Sequence, residues 1–158
     1  MAVGKEEREA AIAELMQTGC SCVVCNGNGT RRFHRKGVID LYELLMESPA
    51  ELHGAFIADK VVGKGAAALM VLGGIVRVWT AVISHPALEL LERGGVVVEH
   101  AEVVPNIINR AGTGICPVEE LCACASTAEE CLPLIRQFIE NNKSKQGNDG
   151  SNGKTSFL

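Results

Sequence analysis

The segment NRAGTGICP at residues 109–117 combines residue types that bind anions. Its asparagine, arginine and threonine side chains can hold an anionic or nucleotide-like ligand, and its glycine amides can approach that ligand closely. The candidate ligand-binding residues of this segment are Asn109, Arg110, Gly112, Thr113 and Gly114. Glycines also serve tight turns, so a turn that leads into a helix explains the same composition.

Cys116 adds a candidate nucleophile to this segment. It precedes Pro117 at a predicted helix start, where the helix dipole and Arg110 favour the thiolate and should bring the pKa of the thiol below its ordinary value. A thiolate attacks electrophilic carbon, so Cys116 is predicted as a catalytic residue. The competing interpretation is a packed cysteine beside a turn.

The segment ADKVVGKGAAALMVLGG at residues 58–74 holds a second group of candidates. Asp59 is predicted as the N-cap of a helix over residues 60–72, because the segment after Lys60 is apolar or glycine apart from Lys64. Lys60 and Lys64 then share one helical face. Such a helix start binds phosphate or carboxylate, with Asp59 and Lys60 as candidate catalytic residues and Lys64 as a ligand-binding residue. Alternatively, both lysines extend to solvent.

The segment SHPALELLE at residues 84–92 begins another predicted helix directly after a strand. Ser84 and His85 are candidate ligand-binding residues, although an N-cap serine and a polar helix start explain them equally well. In an open α/β sheet, ligands bind outside the carboxyl ends of the strands. Ser84 and Asp59 are therefore predicted to lie close together at that edge.

The elements that must position these residues alternate between helices and strands. Helices are predicted over Lys5–Gln17, Ile39–Glu47 and residues 60–72, 84–92 and 129–141, and strands over residues 20–25, 30–35, 55–57, 75–83 and 96–99. Asn26-Gly27-Asn28-Gly29 separates the first two strands and indicates a hairpin. The helical crossovers between later strands imply parallel pairing. The predicted fold is a three-layer α/β/α sandwich with a mixed sheet and an antiparallel hairpin at one edge.

Composition limits the class of protein. The chain has 158 residues, a net charge of −4 and a pI near 5.6, which disfavours general nucleic-acid binding. Residues 1–141 are predicted as a single domain and residues 142–158 as a disordered polar tail. The longest apolar stretch is interrupted by Lys64 and glycines, and the start of the chain does not resemble a secretory signal, so we expect no membrane segment and a cytoplasmic location.

Seven cysteines are expected to be mostly reduced thiols in that compartment. Cys22 and Cys25 have CxxC spacing, but side chains alternate along a strand, so these two are predicted to point to opposite faces. Cys20 and Cys22 can share a face. A metal site built from the later cysteines, between Cys116 and Cys131, remains an alternative, although their spacing matches no standard knuckle.

The segments ADKVVGKGAAAL, ISHPALELL and INRAGTGICPVEELC, within residues 19–135, resemble an uncharacterised prokaryotic family with the cytidine deaminase-like fold. The resemblance implies a deaminase-like α/β/α sandwich, in agreement with the pattern of elements. It also suggests that the segment 109–117 folds back toward the pocket near Asp59 and Ser84. It implies no known reaction.

Zinc deaminases place a His or Cys and then Ala-Glu at one helix start, and Pro-Cys-x-x-Cys at the next. At these positions this sequence has Ala58-Asp59-Lys60 and His85-Pro86-Ala87-Leu88. The zinc ligands are missing, so zinc-dependent deamination is rejected and neither a metal nor a cofactor is predicted.

Two functional classes follow from the residues. The first is a zinc-independent protein that binds a nucleotide-like or other anionic small molecule, with catalysis through Cys116 or through Asp59 and Lys60. The second is a non-catalytic sensor or partner-binding module, thiol-based or metal-binding through the Cys116 to Cys131 cluster. Whether the protein is an enzyme, and whether it forms a homo-oligomer, is left open at this point.

Overall fold

The positions of the helices and strands come from a computed structural model that describes residues 3–35, 37–109 and 111–149. The helices of these residues are α1 (Lys5–Gln17), α2 (Ile39–Glu47), α3 (Lys64–Gly73), α4 (His85–Arg93), α5 (Pro117–Cys122) and α6 (Ala128–Asp149). The strands are β1 (Cys22–Cys25), β2 (Thr30–Phe33), β3 (Phe56–Val62), β4 (Arg77–Ser84) and β5 (Val97–Val104).

The five strands form one mixed sheet in the order β2-β1-β3-β4-β5. Strand β1 pairs antiparallel with β2 and with β3, whereas β3, β4 and β5 run parallel. The predicted hairpin lies at one edge, where the turn is closed by Asn26 and by Gly27 at a φ of 84°. The predicted mixed α/β sheet with parallel crossovers is therefore confirmed.

Helices cover the two faces of the sheet unequally. On one face, α1 packs against β1 and β3 through a small cluster that includes Leu15, Val23 and Phe56. On the other face, α3 is the central helix and contacts α2, α4, α5 and α6, and the larger core lies there. Strand β5 is an edge strand without a buried residue.

The boundary between β3 and α3 differs from the prediction. Asp59 and Lys60 lie within β3 and not at the start of a helix, because this segment pairs with β1 on one side and with β4 on the other. Helix α3 begins only at Lys64, with Gly63 as its N-cap. Consequently Lys60 and Lys64 do not share a helical face, and Asp59 is not an N-cap.

The bounds of strands β4 and β5 also differ from the predicted bounds. Strand β4 begins at Arg77, because the chain first turns at Gly74, which has a φ of 81°. Strand β5 continues to Val104, well beyond residue 99. The exposed edge strand carries charged residues inside the strand, so its sequence lacks the apolar run that marks a buried parallel strand.

Helix α6 extends beyond its predicted end at residue 141. It continues to Asp149, so residues 142–149 of the predicted disordered tail are helical, and the rest of that tail lies outside the described residues. Its packed part includes Ile135 and Ile139, which are fully buried. Once this part has formed the helix, each added residue contributes a further backbone hydrogen bond at little cost, even in a polar segment.

Candidate functional site

The N-termini of α3 and α4 lie at the carboxyl ends of β3 and β4, as predicted, and the carboxylate of Glu119 occupies the space between them. Glu119 Oε1 accepts hydrogen bonds from the backbone amide of Lys64 at 2.6 Å and from Ser84 Oγ at 3.0 Å. Its Oε2 accepts a third from the amide of Ile107 at 2.6 Å. The side chain is only 2% exposed, so the position predicted to bind an external anion holds an internal one.

Gly63 permits this close approach. A Cβ atom at this position would lie 3.2 Å from a side-chain carbon of Ile107 and 3.3 Å from Glu119 Oε1. The ammonium group of Lys64 points away from the carboxylate and donates to the carbonyl oxygens of Ala125 at 2.6 Å and Ala123 at 3.4 Å. Lys64 therefore joins the start of α3 to the chain that follows α5.

Ser84 and His85 adjoin in sequence but differ in surroundings. Ser84 is fully buried and is the N-cap of α4, where its hydroxyl accepts a hydrogen bond from the amide of Ala87 at 3.3 Å. His85 is exposed and lies beside Pro105 and Asn106 on an open surface. Ser84 is thus an N-cap residue, and its hydroxyl group also donates a hydrogen bond to Glu119.

The segment around Asn109 forms a turn whose polar groups bind one another. The amide of Asn109 donates to the carbonyl of Gly114 at 2.8 Å, and the side chains of Asn109 and Thr113 are joined at 3.2 Å. Gly112 has a φ of 72°, which a left-handed turn requires. Arg110, also predicted to bind the ligand, lies outside the described residues.

Cys116 lies at the start of α5, as predicted, but its environment is the opposite of the predicted one. It is buried, and its amide donates to the carbonyl of Ile107 at 2.8 Å. Burial raises the pKa of the Cys116 thiol above its ordinary value, and the hydrogen bonds from the amides of Glu119 and Val118 only oppose this rise. The predicted lowering of this pKa is therefore wrong, because desolvation outweighs the short helix.

A cavity of about 210 Å³ opens instead at the base of the hairpin, beside the N-terminus of α2. We call it the hairpin cavity and define it by six lining residues: Cys20, Cys22, His34, Arg35, Asp40 and Asp59. Lys60 also lines it, so two of the predicted catalytic residues, Asp59 and Lys60, adjoin this cavity. Among the described residues, no other predicted site residue lines it.

Asp59 is a buried titratable group of the hairpin cavity. Burial raises the pKa of its carboxyl from 3.8 to about 7, while hydrogen bonds from the amides of Val61 and Lys60 and from the Cys22 thiol oppose the rise. The same neighbourhood raises the pKa of Cys22 well above its ordinary value, chiefly through burial and then through the charge of Asp59. Asp59 therefore changes its protonation state near neutral pH.

Asp40, in the first turn of α2, is the second buried carboxylate of the cavity. Its Oδ1 accepts a hydrogen bond from Arg35 Nε at 2.7 Å, and Arg35 also binds Glu43 at 2.6 Å. Its Oδ2 is buried and has no hydrogen-bond partner within the described part of the chain, although the residue is only 6% exposed. A buried carboxylate oxygen without a donor is a costly arrangement that a bound molecule would relieve.

Cys20 and His34 form a thiol and imidazole pair in the same cavity. Cys20 Sγ lies 3.7 Å from His34 Nε2, and the cysteine is buried whereas the histidine is exposed. The predicted separation of Cys22 and Cys25 onto opposite faces is confirmed, because they belong to the two different core clusters. Cys20 and Cys22 meet at this cavity.

The later cysteines form a thiol pair. The Cys122 thiol donates a hydrogen bond to Cys131, which raises the pKa of Cys122 and lowers the pKa of Cys131.

All seven cysteines lie in the described residues and none of them forms a disulfide. Within that part of the chain, no group of three His, Cys, Asp or Glu side chains is placed to hold a metal ion. Among the helices described above, none is both long and apolar enough to cross a bilayer.

Sequence reasoning missed the residues that complete the two sites, which are the buried contacts around Glu119 and the hairpin cavity. Glu119 and Asp40 look like ordinary acidic residues of a first helical turn, and His34 looks like a surface residue after a strand. The signals that pointed to the hairpin cavity were the predicted catalytic residues Asp59 and Lys60. Cys20 and Cys22, which were predicted to be able to share a face, both line the cavity but belong to different core clusters.

The comparisons with known proteins agree with the family resemblance. Residues 10–139 match the family described as TM1506, a domain of unknown function (DUF1893), and the chain therefore belongs to this family. A crystal structure of a DUF1893 family protein (TM1506) from Thermotoga maritima is similar, with 25% sequence identity and a TM-score of 0.78 over 85% of this chain and 91% of that chain. No curated protein matches.

Proposed function

We propose that this DUF1893 protein binds a small cationic molecule that carries several N–H donors, such as an amidine or a guanidine, in the hairpin cavity. The observation that carries the proposal is that Asp40 lines the cavity and that its buried Oδ2 has no hydrogen-bond donor among the described residues. A carboxylate in this state is completed by a charged N–H group, which forms a stronger hydrogen bond than a neutral donor. The amino and imino edge of cytosine or adenine is chemically an amidine, so nucleobase-like ligands fall within this class.

Arg35 alone does not satisfy the hydrogen-bonding capacity of the Asp40 carboxylate. It binds Oδ1 of Asp40 and shares its remaining charge with Glu43, which is outside the cavity. Asp59 adds a second carboxyl group that loses its proton near pH 7. Lys60 also lines the cavity, so the preference for a cation rests on Asp59 and on the Oδ2 of Asp40, which has no donor among the described residues, and not on net charge.

Asp59 is the proposed proton-transfer group. Because its pKa is about 7, it exists in both protonation states at neutral pH, which is the condition for a general acid or base. A bound cation stabilises the ionised carboxylate and so lowers the pKa of Asp59. Binding of the cation should therefore release a proton and become tighter as the pH rises through 7.

The deaminase-like fold remains part of the proposal. The strand order β2-β1-β3-β4-β5, with helices directly after β3 and β4, supports it. The three-ligand set of a zinc deaminase is missing at those two helix starts, since α3 begins with Lys64 and Gly65 and α4 has only His85, and this supports a zinc-independent protein. A cytoplasmic location, which keeps the thiols reduced, is likewise proposed. The binding of an anionic ligand stays a prediction, and the carboxylate of Glu119 already occupies the position expected for that anion. The non-catalytic thiol-based or metal-binding module also stays a prediction.

The experiment compares benzamidine with benzamide, its neutral counterpart, by NMR titration of the isotope-labelled protein. We expect benzamidine to shift the amide signals of residues around the cavity, with benzamide at least about tenfold weaker, because it lacks the charge that Asp40 and Asp59 recognise. Asp40→Asn should abolish the preference, since it places an N–H₂ group or a neutral oxygen at the unpaired position. Glu43→Gln is the matched control, because it changes the other partner of Arg35 outside the cavity. Equal binding of the two compounds would refute the proposal.

A further inference from the structure

Two cysteines of the hairpin cavity have chemically opposite partners. Cys20 Sγ lies 3.7 Å from the imidazole Nε2 of His34, whereas the Cys22 thiol is hydrogen-bonded to the carboxyl of Asp59. An imidazole nitrogen can accept the thiol proton, and the resulting imidazolium stabilises the thiolate. A carboxylate opposes the formation of a thiolate by charge repulsion. Of these two thiols, Cys20 is therefore the one that lies beside a nitrogen base.

We propose that Cys20 is a nucleophile, with His34 as its general base, that attacks the amidine carbon of a cationic molecule bound in the hairpin cavity. This inference rests on the proposed function, because it takes its substrate from the same cavity and from the same carboxylates. It adds a catalytic role for two residues that neither the sequence patterns nor the family description assigns.

Access to Cys20 runs through the cavity. The residue is only 2% exposed, yet it lines the cavity together with the exposed His34. A molecule must therefore enter the cavity to reach the sulfur, while the imidazole can exchange its proton with water. This arrangement makes reactivity depend on whether the reagent fits the cavity.

The carboxylates orient the substrate and activate it. Asp40, whose Oδ2 has no partner in the part of the chain that the structure describes, and Asp59 line the same cavity as Cys20. When they hold the N–H groups of an amidinium ion, the carbon between those nitrogens is presented to the sulfur in its cationic, most electrophilic form.

The covalent step balances as follows in atoms and charge. His34 Nε2 takes the thiol proton, and the sulfur forms a bond to the amidinium carbon while the electron pair of the C=N⁺ bond moves onto nitrogen. The neutral tetrahedral adduct collapses when one C–N bond breaks, and the departing amine takes the proton from His34. A cationic thioimidate remains on Cys20. Water then adds to its carbon and the S–C bond breaks, which gives an amide, a proton and the regenerated thiol.

The test uses 2-chloroacetamidine and its neutral counterpart 2-chloroacetamide on the unmodified protein. With either reagent the Cys20 sulfur bonds to the CH₂ carbon, chloride leaves and the thiol proton moves to His34. We expect chloroacetamidine to label Cys20 at least about tenfold faster than chloroacetamide, after correction for their rates with glutathione, because one extra charged hydrogen bond is worth about that factor. Peptide mass spectrometry identifies the labelled thiol.

Variants separate Cys20 from a thiol outside the cavity. Cys20→Ser should remove the adduct, whereas Cys124→Ser, which removes an exposed thiol, should keep it. His34→Gln should slow labelling by a factor of about ten to a hundred and remove the imidazole titration from its pH profile, which a merely structural residue would not do. Circular dichroism verifies that each variant is folded, and the comparison of reagents on the unmodified protein needs no variant.

The outcomes distinguish this inference from the function on which it rests. Benzamidine binding that persists in Cys20→Ser, together with fast, cation-selective labelling of Cys20 in the unmodified protein, supports both. If benzamidine binds but Cys20 reacts no faster with the amidine reagent than with the amide, the nucleophile assignment is overturned and the proposed function stands. If benzamidine does not bind, the function proposed for the cavity fails, and the nucleophile assignment fails with it.

Discussion

Lys64 and Glu119 are 55 positions apart in the chain, yet the backbone amide of Lys64 donates to the Glu119 carboxylate at 2.6 Å in the buried interior. The same carboxylate binds Ser84 and the amide of Ile107. It thus satisfies donors from three separate parts of the chain, at the position where the sequence pattern had suggested an external anion.

Glu119→Ala should destabilise the protein strongly. It leaves three buried donors without an acceptor, and each such group costs about 1–3 kcal/mol, so we expect the free energy of unfolding to fall by at least about 3 kcal/mol. Urea denaturation measures this change. Glu120→Ala is the control, because Glu120 is exposed on the same helix and its removal should change the free energy by less than about 0.5 kcal/mol. Similar values for the two variants would contradict the assigned role of Glu119.

Lys64→Met should lower stability even though methionine suits a buried helix. The ammonium group donates to the carbonyls of Ala125 and Ala123, and methionine cannot replace these bonds. We expect a loss of about 1–3 kcal/mol in the free energy of unfolding, because two partly buried carbonyl groups lose a charged donor. Thermal denaturation compares the stability of Lys64→Met with that of Lys60→Met, a variant that changes a half-buried lysine of β3. An equally stable Lys64→Met protein would show that these bonds contribute nothing.

Asp59 should make stability depend on pH in the direction opposite to that of a salt-bridged aspartate. Its pKa is raised from 3.8 to about 7, so between these values the folded state binds more protons than the unfolded state. The contribution of Asp59 to stability is therefore complete below about pH 4 and decreases by about 1.4 kcal/mol per pH unit until about pH 7. Denaturation curves of Asp59→Asn and the unmodified protein across this range isolate the slope. Parallel pH profiles would mean that the pKa of Asp59 is not raised.

The five thiols outside the hairpin cavity should react with iodoacetamide in an order set by burial. Cys124 is exposed and should react first, whereas Cys116 is buried with a raised pKa and should react at least about tenfold more slowly. Limited alkylation at neutral pH followed by peptide mass spectrometry ranks the thiols. A Cys116 that reacts fastest would restore the interpretation of segment 109–117 as a reactive loop.

Gly65→Ala should destabilise the contact between α3 and α5. A Cβ atom at position 65 would overlap the side chain of Val118, and this steric cost should exceed the helix propensity gained from alanine, which is about 1 kcal/mol. The control is Gly29→Ala, because nothing lies within 4 Å of a Cβ at that position. Chemical denaturation should show a clear loss for the first variant only; an increase in stability for Gly65→Ala would show that α3 and α5 can separate without cost.

The sequence predicted those elements whose signals are local. Helices α1 and α2 have the predicted bounds, since their periodicity and their stop residues lie within the segment itself. The boundary between β3 and α3 depends on pairing with β1 and β4, which come from distant parts of the chain. Residues 60–62 were therefore predicted to be helical, although sheet pairing makes them part of β3.

In the candidate site too, the sequence predicted what depends on local signals and topology, and missed what depends on tertiary contacts. The meeting of the helix starts at Lys64 and Ser84 was predictable from topology, because strand ends of a parallel sheet lie at one edge. The occupation of that place by Glu119 was not, since no local pattern tells a buried glutamate from an exposed one. The hairpin cavity depends on tertiary contacts between Asp40, His34 and Cys20, which no spacing in the sequence reveals.

The three-way bonding of Glu119 also has a consequence for biosynthesis. During translation, the segments that contain Lys64, Ser84 and Ile107 are synthesised before residue 119, so their buried donors lack their final acceptor until α5 has left the ribosome. Contacts between such distant positions form late in folding, because closing a long loop costs entropy before any bond is made. A nascent chain arrested before residue 119 should therefore be sensitive to proteolysis, and one arrested after α6 should be protected.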